Sequence, residues 1–163
     1  MRWAGLIPAG GPVLDLAAGS GRHTRLLLAR GHPVTALDRD LAGLADLAEE
    51  SGFALVQADL ENGSPWPLPG RQFAGVVVTN YLWRPILPQI LASLAVGAVL
   101  IYETFAAGQE RFGKPSNPDF LLRPGELLDL VHGRLLVRAY EHGLVEEPKP
   151  AMRQRICALR EAD

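Results

Sequence analysis

Five short apolar runs, each carrying or meeting a polar residue at its end, constrain most strongly what this 163-residue chain can fold into. Val13–Leu16 holds Asp15; Val34–Leu37 is followed by Asp38; Phe53–Ala58 by Asp59; Phe73–Thr79 by Asn80; and Ala98–Tyr102 by Glu103. Short runs that are apolar throughout, rather than alternating, mark strands buried on both faces, as in a parallel sheet covered by helices. Helix-like segments separate them. One follows Gly21 and runs to about Arg30, with Leu26, Leu27 and Leu28 apolar and Gly31 as a stop. A second is expected from an Asp40 cap, with Leu41, Leu44, Ala45 and Ala48 on one face and Gly52 at its end. A third opens at Pro85, buries Ile86, Ile90, Leu91 and Leu94, and stops near Gly97.

The remaining stretches differ in kind. Ser64–Gly70 (SPWPLPG) carries three prolines and predicts a stiff loop. Phe105–Arg123 is a connection long enough to suggest a functional excursion. Pro124 and Gly133 bracket a last helix. Leu135–Tyr140 and Met152–Leu159 read as strands joined closely enough to form an antiparallel hairpin. The expected fold is therefore α/β, a doubly wound, mostly parallel, Rossmann-like sheet of seven strands with helices on both faces. Such sheets bind ligands beyond the carboxyl ends of their strands. Asp15, Asp38, Asp59, Asn80 and Glu103 all fall on that edge.

Composition narrows the functional classes. A net charge of −2 and an isoelectric point near 6.1 give no global field toward nucleic acid or anionic lipid. The single cysteine, Cys157, precludes an internal disulfide and any multi-cysteine metal site, and is expected in the core. His32, His132 and His142 show no metal-ligand spacing, so no metal is expected. His23 is expected to be exposed or capping, and Trp3 and Trp66 to pack or to act as lid residues. No window approaches the ~20 apolar residues of a membrane helix, and no apolar stretch follows a basic start as in a signal peptide. The expectation is one cytoplasmic domain over 1–163, monomeric or homodimeric, with no membrane partner and no nucleic acid.

The stretch VLDLAAGSGRHT, residues 13–24, decides the ligand class. A phosphate loop would need a lysine after its last glycine, and the first lysine in the chain is Lys114. A dinucleotide site fits better, because Gly19 and Gly21 open a helix and Asp38 lies 19 positions beyond Gly19. Its third glycine position, however, is Thr24, which would hinder close helix–strand packing. Asp15 is also awkward beside a pyrophosphate, since like charges repel in a partly desolvated pocket. It suits a ligand with positive groups and no phosphate, such as S-adenosylmethionine. Glycines 19 and 21 let backbone approach such a ligand, and the helix start offers N–H groups to its carboxylate. Asp38 can accept from both ribose hydroxyls and Asp59 from the adenine amino group. A nicotinamide-dependent reductase stays open as a rival.

Taken together, VLDLAAGSGRHT, VTALDRD, QADLE, FAGVVVTNYLWRP and GAVLIYETF resemble a class I S-adenosylmethionine-dependent methyltransferase, and are most similar to its tellurite-resistance-type branch. The resemblance spans about Pro12 to Leu159 and implies strand order 3-2-1-4-5-7-6, the last strand antiparallel. It implies S-adenosyl-L-methionine as cofactor and S-adenosyl-L-homocysteine as product. Asp15, Gly19 and Gly21 would hold the methionine part, Asp38 the ribose, Asp59 with Leu60 the adenine, and Asn80 would face the methionine end. Ala17 replaces the first glycine of the family pattern and could tighten the pocket; Ala18 stands where that branch carries cysteine.

The methyl acceptor should lie near the ends of the fourth and fifth strands. Thr79–Pro85 (TNYLWRP) supplies Tyr81, Trp83 and Arg84, and lacks the Asn/Asp-Pro-Pro-Tyr/Phe signature of amino-group methylation. Glu103 and Tyr81 are the candidate catalytic groups. Trp83, Arg84, Arg111 and Lys114 are candidate acceptor-binding groups, the basic ones suiting an anion. Little chain precedes the first strand, so the acceptor site is expected to be open, closed by the 105–123 loop, or completed by a partner. The expected function is methylation of a small molecule, with a non-catalytic cofactor-binding sensor or partner subunit as the alternative.

Overall fold

The computed structural model describes residues 1–162. Seven strands form one sheet in the order β3-β2-β1-β4-β5-β7-β6. They are β1 (Val13–Leu16), β2 (Val34–Asp38), β3 (Phe53–Gln57), β4 (Phe73–Thr79), β5 (Leu94–Phe105), β6 (Leu136–Val145) and β7 (Ala151–Leu159). The first five pair in parallel, and β7 runs antiparallel to both β5 and β6. All four residues of β1 are buried, and Val76, Val77 and Val78 at the centre of β4 are inaccessible. Their β-branched side chains suit a pleated surface covered on both sides.

The two faces bury different cores. Leu14, Leu16, Val76, Val78, Leu100, Tyr102 and Ile156 point to the side of α2 (Leu87–Ala92) and α3 (Glu126–Val131), where Ile90, Leu91, Leu127 and Val131 meet them. Val13, Val77, Val99, Ile101 and Cys157 point to the other side, against Leu27 of α1 (Arg22–Ala29) and Ile7. Cys157 thus sits in the core as expected, and burial pushes its thiol up to about 11. Among the described residues no helix is long and apolar enough to cross a membrane.

Three elements depart from expectation. The segment after Asp40 is a 3-10 turn over Ala42–Leu47 rather than an α-helix; its N-cap is Leu41, and Asp40 precedes it, accepting from the Ala42 N–H at 3.0 Å. Gly43 explains the change. A Cβ there would stand 2.7 Å from the Ser20 Cα and 2.8 Å from the Gly19 carbonyl oxygen, so the turn lies directly on the glycine loop. That contact, and the low helix propensity of an interior glycine, override the apolar periodicity. The helix after Asn80 begins as a 3-10 turn, Arg84–Ile86, and becomes α only at Leu87, which leaves Leu94 to start β5. The 105–123 connection is not open coil. Two 3-10 turns, Gln109–Arg111 and Pro118–Phe120, and a bridge between Ala106 and Leu122 tie it back to the sheet.

Candidate active site

The carboxyl ends of β1 to β4 enclose a cavity of about 370 Å³. Asp38 ends β2, and Asp59 and Leu60 follow β3 by two and three residues. Ala17 leaves β1, Tyr81 follows β4, and Phe120 descends from the long connection to form another wall. Ala17, Asp38, Asp59, Leu60 and Tyr81 are therefore brought together as the sequence suggests, whereas Phe120, Arg39 and Glu61 line the same cavity without having been anticipated. The walls combine exposed carboxylate acceptors with apolar surface from Ala17, Leu37, Leu60 and Phe120. A purine riboside, with donors on its sugar and amino group and an apolar ring, matches that set.

The glycine loop is held from three directions. The Gly19 N–H donates to Asp38 Oδ2 at 2.7 Å, while Asp38 Oδ1 accepts from the Asp40 N–H at 3.0 Å. Each oxygen keeps a second lone pair for a ligand hydroxyl. Gly21 has a φ of +74°, and a Cβ there would run into Leu44 and the Arg25 guanidinium. Arg25 itself reaches across, donating to the carbonyl oxygens of Ser20 and Gly43 and pairing with Asp46. Ala17 takes φ +56°, a left-handed conformation that a Cβ disfavours. Ala17→Gly is accordingly expected to stabilise the fold by about 0.5–1 kcal/mol, raising the melting temperature by roughly 1–4 °C in a thermal unfolding scan.

Asp15 lies near the end of β1, as expected, but faces inward. It is 1% exposed, lines none of the cavities described, and sits beneath the loop, where Oδ2 accepts from the Thr24 hydroxyl at 2.6 Å. Thr24, at the position of a dinucleotide fold's third glycine, is fully buried and spends its hydroxyl on this bond. Burial pushes the Asp15 carboxyl up from 3.8 to about 6, against the pull of Thr24. The folded state binds this proton more tightly than the unfolded chain, so the stability this group contributes is fully present below pH ~4 and is lost as pH rises through about 6. The neutral-pH penalty is on the order of 3 kcal/mol. Asp15→Asn keeps an oxygen for Thr24 but buries an amide, so the expected gain is roughly 1–2 kcal/mol at pH 8. Urea unfolding of both proteins should show that gain reversing to a loss of roughly 1–2 kcal/mol near pH 4; a constant difference across this range would contradict the assignment.

At the far side of the cavity, β4 ends in a second polar group. Asn80 adopts φ +54°, its N–H donates to the Glu103 carbonyl oxygen at 2.9 Å, and its Oδ1 accepts from Arg153 Nη1 at 2.7 Å. Glu103, expected as a base, is instead paired twice, with Arg153 at 3.1 Å and Arg155 at 2.9 Å. Arg155 also reaches Glu141 at 3.2 Å, which in turn meets Arg2 at 2.6 Å. Two guanidiniums occupy the Glu103 carboxylate, a poor arrangement for proton removal. Burial, with Glu61 nearby, pushes the Tyr81 phenol well above its ordinary value, so Tyr81 stays a proton donor. His23 is neither the exposed nor the capping residue expected. It is half-buried, its Nδ1 lies 3.2 Å from the Thr79 hydroxyl, and burial with Arg22 beside it holds its pKa below the usual histidine value.

The candidate acceptor groups separate. Arg84 faces the protein. Its Nε and Nη2 donate to the two oxygens of Glu126 at 2.6 and 2.9 Å, and Nη1 and Nη2 donate to the carbonyl oxygens of Asp119 and Leu121 at 2.6 and 2.9 Å. These carbonyls flank Phe120, so Arg84 fixes the cavity's aromatic wall instead of binding an acceptor. Burial alone would raise the Glu126 carboxyl, but the hydrogen bonds from Arg84 and from the Arg123 N–H outweigh it and hold the carboxyl low. Trp83 packs half-buried against the core, and Arg111 and Lys114 are exposed and line none of the cavities described. The signal for Arg153 was present in MRQRICAL, where arginines interrupt a strand otherwise destined for the interior.

Comparison with known proteins places this geometry. Residues 13–96 match the family model described as a methyltransferase domain, just over half of the chain. No match was found among curated proteins. Among solved structures, TehB from Haemophilus influenzae superposes with a TM-score of 0.77 at 18% identity, over 98% of this chain and 60% of that one. This chain thus spans three fifths of TehB's length. A SAM-dependent methyltransferase from Methanosarcina mazei gives 0.74 at 14% identity, over 98% and 96% of the two chains. The 1,6-didemethyltoxoflavin-N1-methyltransferase of Burkholderia thailandensis, solved with S-adenosylhomocysteine, gives 0.70 at 19% identity, over 99% and 77%. At these identities the structures speak for the fold, while the family model speaks for the sequence. The chain belongs to the methyltransferase domain family and has the class I S-adenosylmethionine-dependent methyltransferase fold.

Proposed function

We propose that the 370 Å³ cavity takes the adenosine part of S-adenosylmethionine and that the protein transfers its methyl group to a small molecule. The observation that carries this reading is the meeting of Asp38, Asp59 and the apolar walls of Leu60, Ala17 and Phe120 in one cavity on the carboxyl edge. Asp38 accepts from the ribose hydroxyls while keeping the glycine loop in place through Gly19. Asp59 and Leu60 receive the adenine, and Phe120 covers it. The start of α1 points N–H groups toward the methionine carboxylate, and Asn80 marks the methionine end. When bound, the cofactor supplies an electrophilic methyl group on a sulfonium. The chain's own contribution is chiefly position, because an aligned displacement gains much of its rate from orientation.

The pairing of Glu103 with two arginines favours one other reading, a cofactor-binding sensor that transfers nothing. Incubation with methyl-labelled S-adenosylmethionine and a clarified bacterial extract separates the two. Label entering the low-mass fraction, and none when Asp59→Ala replaces the wild type, is the expected result. Label in protein or nucleic acid would overturn the small-molecule acceptor. No transfer at all, with S-adenosylhomocysteine still bound, would favour the sensor.

A further inference from the structure

A second cavity, of about 290 Å³, opens on the same edge of the sheet, where β5 and β6 end and β7 begins. Arg153 lines it together with Arg155, Glu141, Leu144 and Val145. Arg153 also touches Asn80, so it stands between this cavity and the cofactor's methionine end. We propose that this cavity is the acceptor subsite and that the acceptor is a small anion gripped by Arg153. The proposal rests on the cofactor assignment above, and goes beyond it by naming the acceptor's charge and the residue that reads it.

Three observations support the assignment. First, the Arg153 guanidinium is positioned in advance. It lies over the Phe105 ring at 4.3 Å, its side chain is 18% exposed, and Nη1 is pinned by Asn80 Oδ1 and Glu103 Oε1. Second, its Nε and Nη2 have no protein partner among the described residues, which leaves the fork that best grips a carboxylate or another oxyanion. Third, the charges around it do not cancel. Arg2, Arg153 and Arg155 face only Glu103 and Glu141, and Arg155 divides itself between both glutamates. Arg22 adds to the same field. A net positive site of this kind, partly shielded from water, attracts anions and repels cationic acceptors. It also suits a centre whose one carboxylate is occupied, because an acceptor arriving as an anion needs no base to remove a proton.

The test uses the complete chain saturated with S-adenosylhomocysteine, titrated with benzoate, acetate, inorganic phosphate and, as the neutral control, benzamide. At least one anion should bind ten times or more tightly than benzamide. Arg153→Gln should erase that margin while the variant binds adenosine like the wild type, showing that the fold and the first cavity are intact. If S-adenosylhomocysteine itself does not bind, the cofactor assignment is at fault. If it binds and no anion exceeds benzamide, or if Arg153→Gln keeps the margin, the acceptor proposal is overturned.

Discussion

Glu126→Ala is expected to cost about 3 kcal/mol of stability and to loosen the cofactor cavity at the same time. Glu126 is the centre of the latch that holds the 118–123 segment, and its side chain is 9% exposed. Removing one member of a buried ion pair leaves the other charged and uncompensated, at a cost of about 3–5 kcal/mol. Arg84 is one-third exposed, which places the expectation at the lower end. In a chain of this size that corresponds to a fall of roughly 6–12 °C in melting temperature. The functional part is separable from the loss of stability. Phe120→Ala should weaken adenosine binding in the wild type but have almost no effect in the Glu126→Ala background, because the ring is then no longer held over the cavity. Equal losses in both backgrounds would mean that the latch does not position Phe120. The same pair sets an acid limit. Glu126 is held below the ordinary carboxylate range in the folded state, so its contribution is present above pH ~4.5 and is lost as pH falls through the lower folded value.

Asp38→Ala should abolish most cofactor affinity with little change in fold. Two hydrogen bonds from a carboxylate to ribose hydroxyls are together worth about 2–3 kcal/mol, roughly 30- to 150-fold in affinity. The variant also frees the Gly19 N–H, which Asp38 holds at 2.7 Å, so the loop loses its tether to β2. Asp38→Asn separates these effects, since its amide oxygen can still hold Gly19 while the charge is gone. The expected order of S-adenosylhomocysteine affinity is wild type, then Asn, then Ala. Wild-type affinity in the Ala variant would remove Asp38 from the site.

The strands were legible because a parallel sheet covered on both faces writes short, wholly apolar runs, and their ends were legible because polar residues can sit only there. Strand order followed the resemblance of the loops between them, and the structure has it. The gathering of Ala17, Asp38, Asp59 and Leu60 around one cavity was readable for the same reason: all four are local to strand ends. What escaped depends on contacts distant in sequence. Nothing local distinguishes Arg84, whose partner lies 42 positions away, from an exposed arginine ready for a substrate. Glu103 looked free because Arg153 and Arg155 reach it from β7, 50 and 52 positions on. Gly43 falls inside the segment whose apolar periodicity reads as a helix, and its contact with the glycine loop lies 23 and 24 positions back in sequence, at Ser20 and Gly19. Asp15 was correctly placed at the end of β1, but its burial under the loop depends on Thr24, which sequence reading had treated as an obstacle to packing.

The central claim is that this edge of the sheet holds an adenosyl-sulfonium cofactor and not a dinucleotide. Calorimetric titration of the purified protein with S-adenosylmethionine, S-adenosylhomocysteine and NADH tests it most directly. Micromolar binding of both adenosyl compounds, with no heat from NADH, is the predicted result. Binding of NADH, or of neither adenosyl compound, would contradict it.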